Sequence, residues 1–376
     1  MRKITEITLI ALSILISLTI KAQSTGTVIE EYIPSESIKN NIWGDTLNPK
    51  AIVYLPPSYY NSTKEYPVIY FLTGSFAEVD AMINGAFQGL LINESLDSLI
   101  LSNVIKEMIV VVATAKVNLF DTGIRMPTLY VNSLINGNWE DFIVNDLITY
   151  IDNKYKTKKD RLYRGLAGHS MGGFGTIRLA LLYPEKFSYA YSVSFGMEKN
   201  SGENYNRIKK NEIYRNKREY ELKVKSQNLS VEDGISEFLK MTEDRMMVWR
   251  LALGTSFRPF DTIKPPFYHI PLKVINDSIV VDIEYTKSID KGFTNINAYI
   301  EKYNKKEVKL NGIVMEVGLK DGKDFVNGSH YTSGQFIENN IPHQLIYSKY
   351  GHSDGLKYQL INSMLPYFSK HLGNNK

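Results

Sequence analysis

Apolar residues along this chain fall into two alternating patterns. Residues 68–72 (Val-Ile-Tyr-Phe-Leu) and 109–112 (Ile-Val-Val-Val) are unbroken apolar runs of strand length, as expected where a parallel sheet is covered on both faces. Residues 28–33 and 51–55 also read as strands, the second stopped by Pro56 and Pro57, which have no N–H to give to a ladder. Trp139, Phe142, Ile143, Leu147, Ile148, Ile151 and Tyr155 recur at spacings near three and four, the wide apolar stripe of a helix. Residues 162–167 predict a strand, 174–183 a helix closed by Pro184, and 189–193 a further strand. Residues 313–317, 344–347 and the amphipathic stretch 356–372 repeat the theme. Such alternation predicts the α/β class: a mainly parallel central sheet with helices on both faces.

The pattern loosens from Lys199 to about Lys306. Residues 207–225 hold eight lysines and arginines against Glu212, Glu219 and Glu221, which reads as a solvated helical face. Met246, Met247, Trp249 and Leu251 must nevertheless dock on something, so residues 199–306 are expected to form an inserted cap over the sheet. At the other end, Arg2 and Lys3 precede an apolar run over residues 7–20, followed by Lys21-Ala22-Gln23. This is the layout of a cleavable signal peptide over residues 1–22, and it predicts export to the periplasm or the exterior. The run is too short for a permanent membrane span, which takes about 20 residues.

Composition narrows the chemistry. The 44 Lys and Arg against 40 Asp and Glu leave a net charge of +4 over 376 residues, too little for a nucleic-acid footprint, so no nucleic-acid partner is expected. The absence of cysteine removes disulfides, thiolate metal sites and a thiol nucleophile. None of the six histidines has metal-ligand spacing, so neither a metal nor a cofactor is expected.

Gly168-His169-Ser170-Met171-Gly172-Gly173 follows a predicted strand and opens a predicted helix. A serine on so sharp a turn is lifted above the sheet, and the flanking glycines keep side chains away from neighbouring backbone. A second match to G-x-S-x-G, residues 351–355, also lies between a strand and a helix. Chain order separates the two. With Ser170 as nucleophile, Asp321 and His352 follow in the Ser, acid, His order of α/β-hydrolases; with Ser353, only His371 lies downstream and the only Asp beyond it is Asp354. Ser353 then reads as a loop residue beside the base, and His169 as packing. Asp321 and Asp324 share one loop after the strand over 313–317, and either carboxylate can accept the His352 N–H; Asp321 is preferred and Asp324 is the alternative acid. Leu72-Thr73-Gly74-Ser75 ends a buried strand where the second oxyanion donor of such hydrolases arises, so the backbone amides of Ser75 and Met171 are the expected oxyanion hole.

The chain resembles the esterase D-like family of α/β-hydrolases, which includes feruloyl and acetylxylan esterases, S-formylglutathione hydrolases, siderophore esterases and mycolyltransferases. The resemblance rests on residues 53–59 (Val-Tyr-Leu-Pro-Pro-Ser-Tyr), 66–74, Tyr130-Val131-Asn132-Ser133, 164–173, Gly318-Leu319-Lys320-Asp321, and Gly351-His352 with residues 364–368 after it. It implies Ser170 as nucleophile, Asp321 as acid and His352 as base, within a catalytic domain over residues 23–376. Where relatives often carry His-Gly at the oxyanion strand, this chain has Thr73-Gly74. The implied activity is that of a serine esterase acting through an acyl-enzyme. With export, its substrates are expected to be small-molecule or polysaccharide-linked esters: acyl or feruloyl groups on polysaccharide, or a siderophore lactone. Acyl transfer by the same fold and a non-catalytic envelope or carbohydrate-binding protein are the alternatives. The sequence does not set the oligomeric state.

Overall fold

The computed structural model describes residues 25–45, 48–196, 210–260, 264–270, 272–276, 278–281 and 295–374. The expected signal peptide and residues 199–209 of the expected cap lie outside the described residues.

Eight strands form one sheet: β1 (Thr27–Tyr32), β2 (Lys50–Leu55), β3 (Val68–Leu72), β4 (Ile109–Ala113), β5 (Arg164–His169), β6 (Tyr189–Val193), β7 (Gly312–Gly318) and β8 (Gln344–Ser348), in spatial order β1-β2-β4-β3-β5-β6-β7-β8. The β1/β2 and β2/β4 pairs are antiparallel and every later pair is parallel. Two of the inner strands, β3 and β4, are the unbroken apolar runs, and β3, β4 and β5 are buried at every residue. Two core layers explain why. One face carries a helix over residues 139–154 (α2), together with α3 (Met171–Leu182) and α7 (Ile296–Asn304), through Trp139, Phe142, Phe174, Ile177 and Ile300. The other carries α1 (Ile92–Leu101) and a helix over residues 356–371 (α9), through Leu96, Leu360, Met364 and Phe368.

Local chemistry sets the boundaries. The expected strand over 162–167 begins two residues later, because Asp160 accepts the Leu162 N–H at 2.7 Å and turns residues 161–163 into one tight helical turn. Within the region read as a cap lie α4 (Lys210–Asn228), α5 (Val231–Met241), α6 (Arg245–Phe257) and a hairpin of Leu272–Ile275 with Ser278–Val281. This unit docks on the sheet domain through Trp43, whose ring stacks on Phe238 at 5.7 Å and meets Phe267 edge-on at 5.2 Å. Asn136 adds hydrogen bonds to Thr255 and Ser256. The basic face of α4 is not wholly solvated: Glu219 is buried, pairs with Arg250 and accepts the Tyr268 hydroxyl at 2.5 Å. Helix α7 lies on α3, with the Arg178 guanidinium 5.4 Å from the Tyr299 ring, so residues 296–304 cover the sheet itself. Helix α8 (Lys323–Glu338) follows β7 and buries Phe336.

Close approach of α3 to β3 depends on glycine. A Cβ at Gly172 would lie 1.9 Å from the Leu72 carbonyl oxygen, and one at Gly168 would lie 2.3 Å from that of Gly172. Backbone on both sides leaves nothing flexible to give way. Gly172→Ala is therefore expected to cost about 3 kcal/mol or more, read as a lower urea midpoint or as insoluble protein. Gly334→Ala, on a helix with open space around the new methyl, is the control and should match or slightly exceed the parent. A Gly172→Ala protein as stable as the parent would contradict this packing.

Candidate active site

Parallel strands deliver their carboxyl ends to one edge. The residues after Leu72 in β3, His169 in β5, Gly318 in β7 and Ser348 in β8 leave the sheet there together, the usual place for ligands in such sheets. Ser170 occupies the turn between β5 and α3 at φ 57° and ψ −119°, a positive-φ conformation costly for a residue with a side chain. Its N–H donates to the Val193 carbonyl at 2.9 Å, which ties the turn to the neighbouring strand. The residue is half-buried, so its hydroxyl is within reach of solvent.

His352 Nε2 stands 2.9 Å from Ser170 Oγ, and its Nδ1 stands 3.0 and 3.1 Å from the two Asp321 carboxylate oxygens. The carboxylate only accepts, so Nδ1 carries the proton and Nε2 is free to accept the serine O–H. The Asp321 side chain is 0% exposed while that of His352 is 34% exposed, which leaves the imidazole one open side. The Lys320 N–H donates to the Tyr350 carbonyl at 2.9 Å, and this bond holds the two loops in register. Asp324 stands exposed in the first turn of α8, with no hydrogen bond to His352, where its charge suits the helix N-terminus. The second G-x-S-x-G match forms the turn that presents His352: Asp354 accepts the Gly351 N–H, and Ser353 lies in the bend.

The turn over residues 74–77 abuts the serine. It is closed by Ala77 N–H to Gly74 carbonyl at 3.2 Å, and a Cβ on Gly74 would come 3.4 Å from Ser170 Cβ. The Ser75 and Met171 N–H groups have no acceptor among the described residues. Two amides at the mouth of a helix can therefore receive a negatively charged oxygen.

Three supporting residues carry weaker sequence signals. Lys116, 1% exposed, donates from Nζ to the Ala77 carbonyl at 2.6 Å and to Glu78 Oε1 at 2.9 Å, and so anchors the 74–77 turn. In sequence it is a lone lysine beyond an apolar strand, with its partners nearly 40 residues earlier. Tyr130, inside one of the stretches that carry the family resemblance, donates its hydroxyl to the Thr73 carbonyl at 2.8 Å. His169 packs, and it also bears on His352. Its Nε2 donates to the His352 carbonyl at 2.6 Å, and the two rings lie 4.9 Å apart, with Phe325 at 4.1 Å also packed against the His352 ring.

Burial, reinforced by the nearby His352, pushes the His169 pKa down to about 4, so the ring is neutral at pH 7. The unfolded chain binds this proton near pH 6.5 and the folded chain near 4. The stabilising difference is therefore complete above about pH 6.5 and shrinks as pH falls toward 4, by about 3 kcal/mol in all. Urea unfolding at pH 7 and pH 4.5 should show a smaller pH-dependent loss in His169→Gln than in the parent. Equal losses in the two proteins would remove this assignment.

Comparison with known proteins agrees with this architecture. A family model described as "Putative esterase" matches residues 46–232, which contain β2 through β6, the 74–77 turn and Ser170. An endo-1,4-beta-xylanase/feruloyl esterase of Xylanibacter ruminicola is 34% identical over 144 residues, 37% of this chain and 18% of the relative. An esterase of Mycobacterium tuberculosis is 30% identical over 149 residues, 39% of this chain and 29% of the relative. The chain thus spans less than a third of the length of these curated relatives. Among solved structures, a ferulic acid esterase superposes with a TM-score of 0.59 at 16% identity, covering 93% of this chain and 100% of that one. An S-formylglutathione hydrolase from Staphylococcus aureus gives 0.56 at 14% identity, covering 92% and 100%. Residues 46–232 are thus similar in sequence to putative esterases, and the fold is that of the α/β-hydrolases.

Proposed function

We propose that this protein is a serine esterase that hydrolyses carboxylic esters through an acyl-enzyme. The observation that carries the proposal is the hydrogen-bonded series Ser170, His352, Asp321 beside the unpaired Ser75 and Met171 amides. Ser170 Oγ attacks the ester carbonyl carbon while His352 Nε2 takes its proton. The carbonyl oxygen becomes an oxyanion held by the two amides, and Asp321 steadies the imidazolium. Collapse breaks the bond to the alcohol, which leaves with the proton from His352. Water then gives a proton to His352 and attacks the acyl-enzyme, releasing the acid and restoring Ser170. No step calls for a cofactor, and no cluster of three or more metal-binding side chains occurs among the described residues.

The feruloyl esterase activity in the name of the Xylanibacter relative favours acyl or feruloyl esters on polysaccharide as substrates. The leader sequence supports export, and no described helix is long and apolar enough to cross a membrane. Helices α4 to α6 are read as the cap, held against the sheet domain by the Trp43 and Asn136 contacts. Labelling with a fluorophosphonate, followed by mass spectrometry, tests the nucleophile, and turnover of p-nitrophenyl acetate, methyl ferulate and acetylated xylan tests the substrate class. The label is expected on the peptide containing Ser170. Labelling elsewhere, or no label and no turnover, would overturn the reading.

A further inference from the structure

Tyr130 is fully buried and touches both elements that carry the unpaired amides. Its hydroxyl donates to the Thr73 carbonyl at 2.8 Å, in the peptide unit next to the one that bears the Ser75 N–H. Its ring lies against α3, where a Cβ on Gly175 would come 2.7 Å from Tyr130 Cδ2. Arg178, further along α3, donates from Nη1 to the Tyr130 carbonyl at 3.2 Å. Helix α3 begins at Met171, so one residue spans from the turn with the first amide to the helix with the second. Close packing at Gly172 sets how near α3 comes to β3, and the Tyr130 hydroxyl sets which way the peptide after Thr73 faces.

That peptide needs such a hold. Gly74 has no Cβ, so its two dihedrals are unusually free, and they decide where the Ser75 N–H points. The Ala77 N–H bonds to the Gly74 carbonyl at 3.2 Å and pins the peptide on one side of Gly74; the Tyr130 hydroxyl pins the peptide on the other. The backbone that delivers Tyr130 is itself costly. Leu129 and Tyr130 take φ of 55° and 56° at 0% exposure, a conformation that residues with side chains hold only where their surroundings impose it. Thr128 imposes it from one end, since its N–H and its hydroxyl both donate to the Ala115 carbonyl at 3.1 Å. Arg178 imposes it from the other.

We propose that Tyr130 is a positioning residue for the oxyanion hole: seated on α3 and bonded to the Thr73 carbonyl, it fixes the Ser75 amide in register with the Met171 amide. The inference rests on the esterase reading for its effect on turnover, but the hold on the turn does not require turnover. Misaligned donors weaken most the charge that develops on the ester oxygen, so the loss belongs in kcat and not in KM. Tyr130→Phe keeps the ring on α3 and removes only the hydroxyl. Tyr54→Phe is the comparison: it also loses a buried hydroxyl bond, to Asp97 at 2.6 Å, but lies in β2, two strands away from β5.

With p-nitrophenyl acetate, Tyr130→Phe is expected to lower kcat about tenfold or more with KM within about twofold, while Tyr54→Phe keeps parental kcat. Replacing Tyr130 by p-aminophenylalanine returns a donor on the same ring and should restore kcat to within about threefold. This variant also serves if Tyr130→Phe fails to fold, since a folded p-aminophenylalanine protein slowed about tenfold would overturn the proposal. So would parental kcat in Tyr130→Phe beside an active parent, which leaves the esterase reading intact. Amide hydrogen exchange over residues 72–78 gives a readout without chemistry: it should be about threefold faster in Tyr130→Phe and unchanged in Tyr54→Phe. Faster exchange there, in a protein whose parent turns over no ester, would remove the esterase reading and leave the hold of Tyr130 on the turn standing. Parental exchange beside an inactive parent would remove both.

Discussion

Ser170→Ala is expected to lower kcat for p-nitrophenyl acetate by about 10⁴ or more. In the proposed mechanism the serine oxygen bonds to the acyl carbon, and alanine leaves His352 with nothing to deprotonate but water. Little structure is lost with it: Ser170 Oγ meets His352 Nε2 at 2.9 Å, and the bonds that shape the turn run through the backbone N–H and carbonyl of residue 170. Far-UV circular dichroism and the unfolding midpoint should therefore match the parent. Ser353→Ala provides the internal comparison. It removes the hydroxyl of the competing motif, which lies in the bend that presents His352, and should leave kcat within about threefold of the parent, in keeping with a change away from the reacting atoms. A Ser170→Ala protein that retained parental turnover would exclude this nucleophile, and loss confined to Ser353→Ala would transfer the role to the second motif.

The two serines also show where sequence reading reaches its limit. Periodicity located the sheet because its central strands are covered on both faces: runs such as 68–72 and 109–112 have no polar side to confuse the pattern. The carboxyl-edge loops were legible for a related reason, since parallel strands must all end on the same side. What the pattern could not supply was contact between loops. The bond from His169 to the His352 carbonyl spans 183 positions, and that from Lys116 to the Ala77 carbonyl spans 39. Neither leaves a local signature. Helix α6 was legible only as apolar residues in need of a partner, because its hydrogen bonds to the sheet domain come from Asn136, in an irregular segment 119 and 120 positions upstream of Thr255 and Ser256. The buried pairing of Glu219 with Arg250 was hidden inside a charge run that reads as solvated.

The choice between Asp321 and Asp324 was open in the sequence for the same reason, and it carries the second large prediction. Three residues apart on one loop, the two acids are separated by how the chain leaves β7. The Leu319 N–H donates to the Ser348 carbonyl at 2.8 Å and the Lys320 N–H to Tyr350, which keeps the loop beside β8 for two more residues. Asp321 follows directly and is delivered to His352 with its side chain fully covered, whereas Asp324 has already entered α8 and turned outward. Asp321→Asn preserves the shape but replaces a charge with an amide. It removes the partner of the developing imidazolium, and its NH₂ group favours the imidazole tautomer that cannot take the serine proton. A loss of about 10³ to 10⁴ in kcat at pH 7 with KM little changed is expected, because the missing interaction matters most in the transition state. Asp324→Asn should stay within about threefold, with at most a small loss of helix stability from the missing charge near the α8 N-terminus. Steady-state kinetics on the two variants, each checked for a parental unfolding midpoint, decide the assignment. A large kcat loss in Asp324→Asn beside near-normal turnover in Asp321→Asn would mean that the loop rearranges in solution and that the His352 contact is made by the other carboxylate.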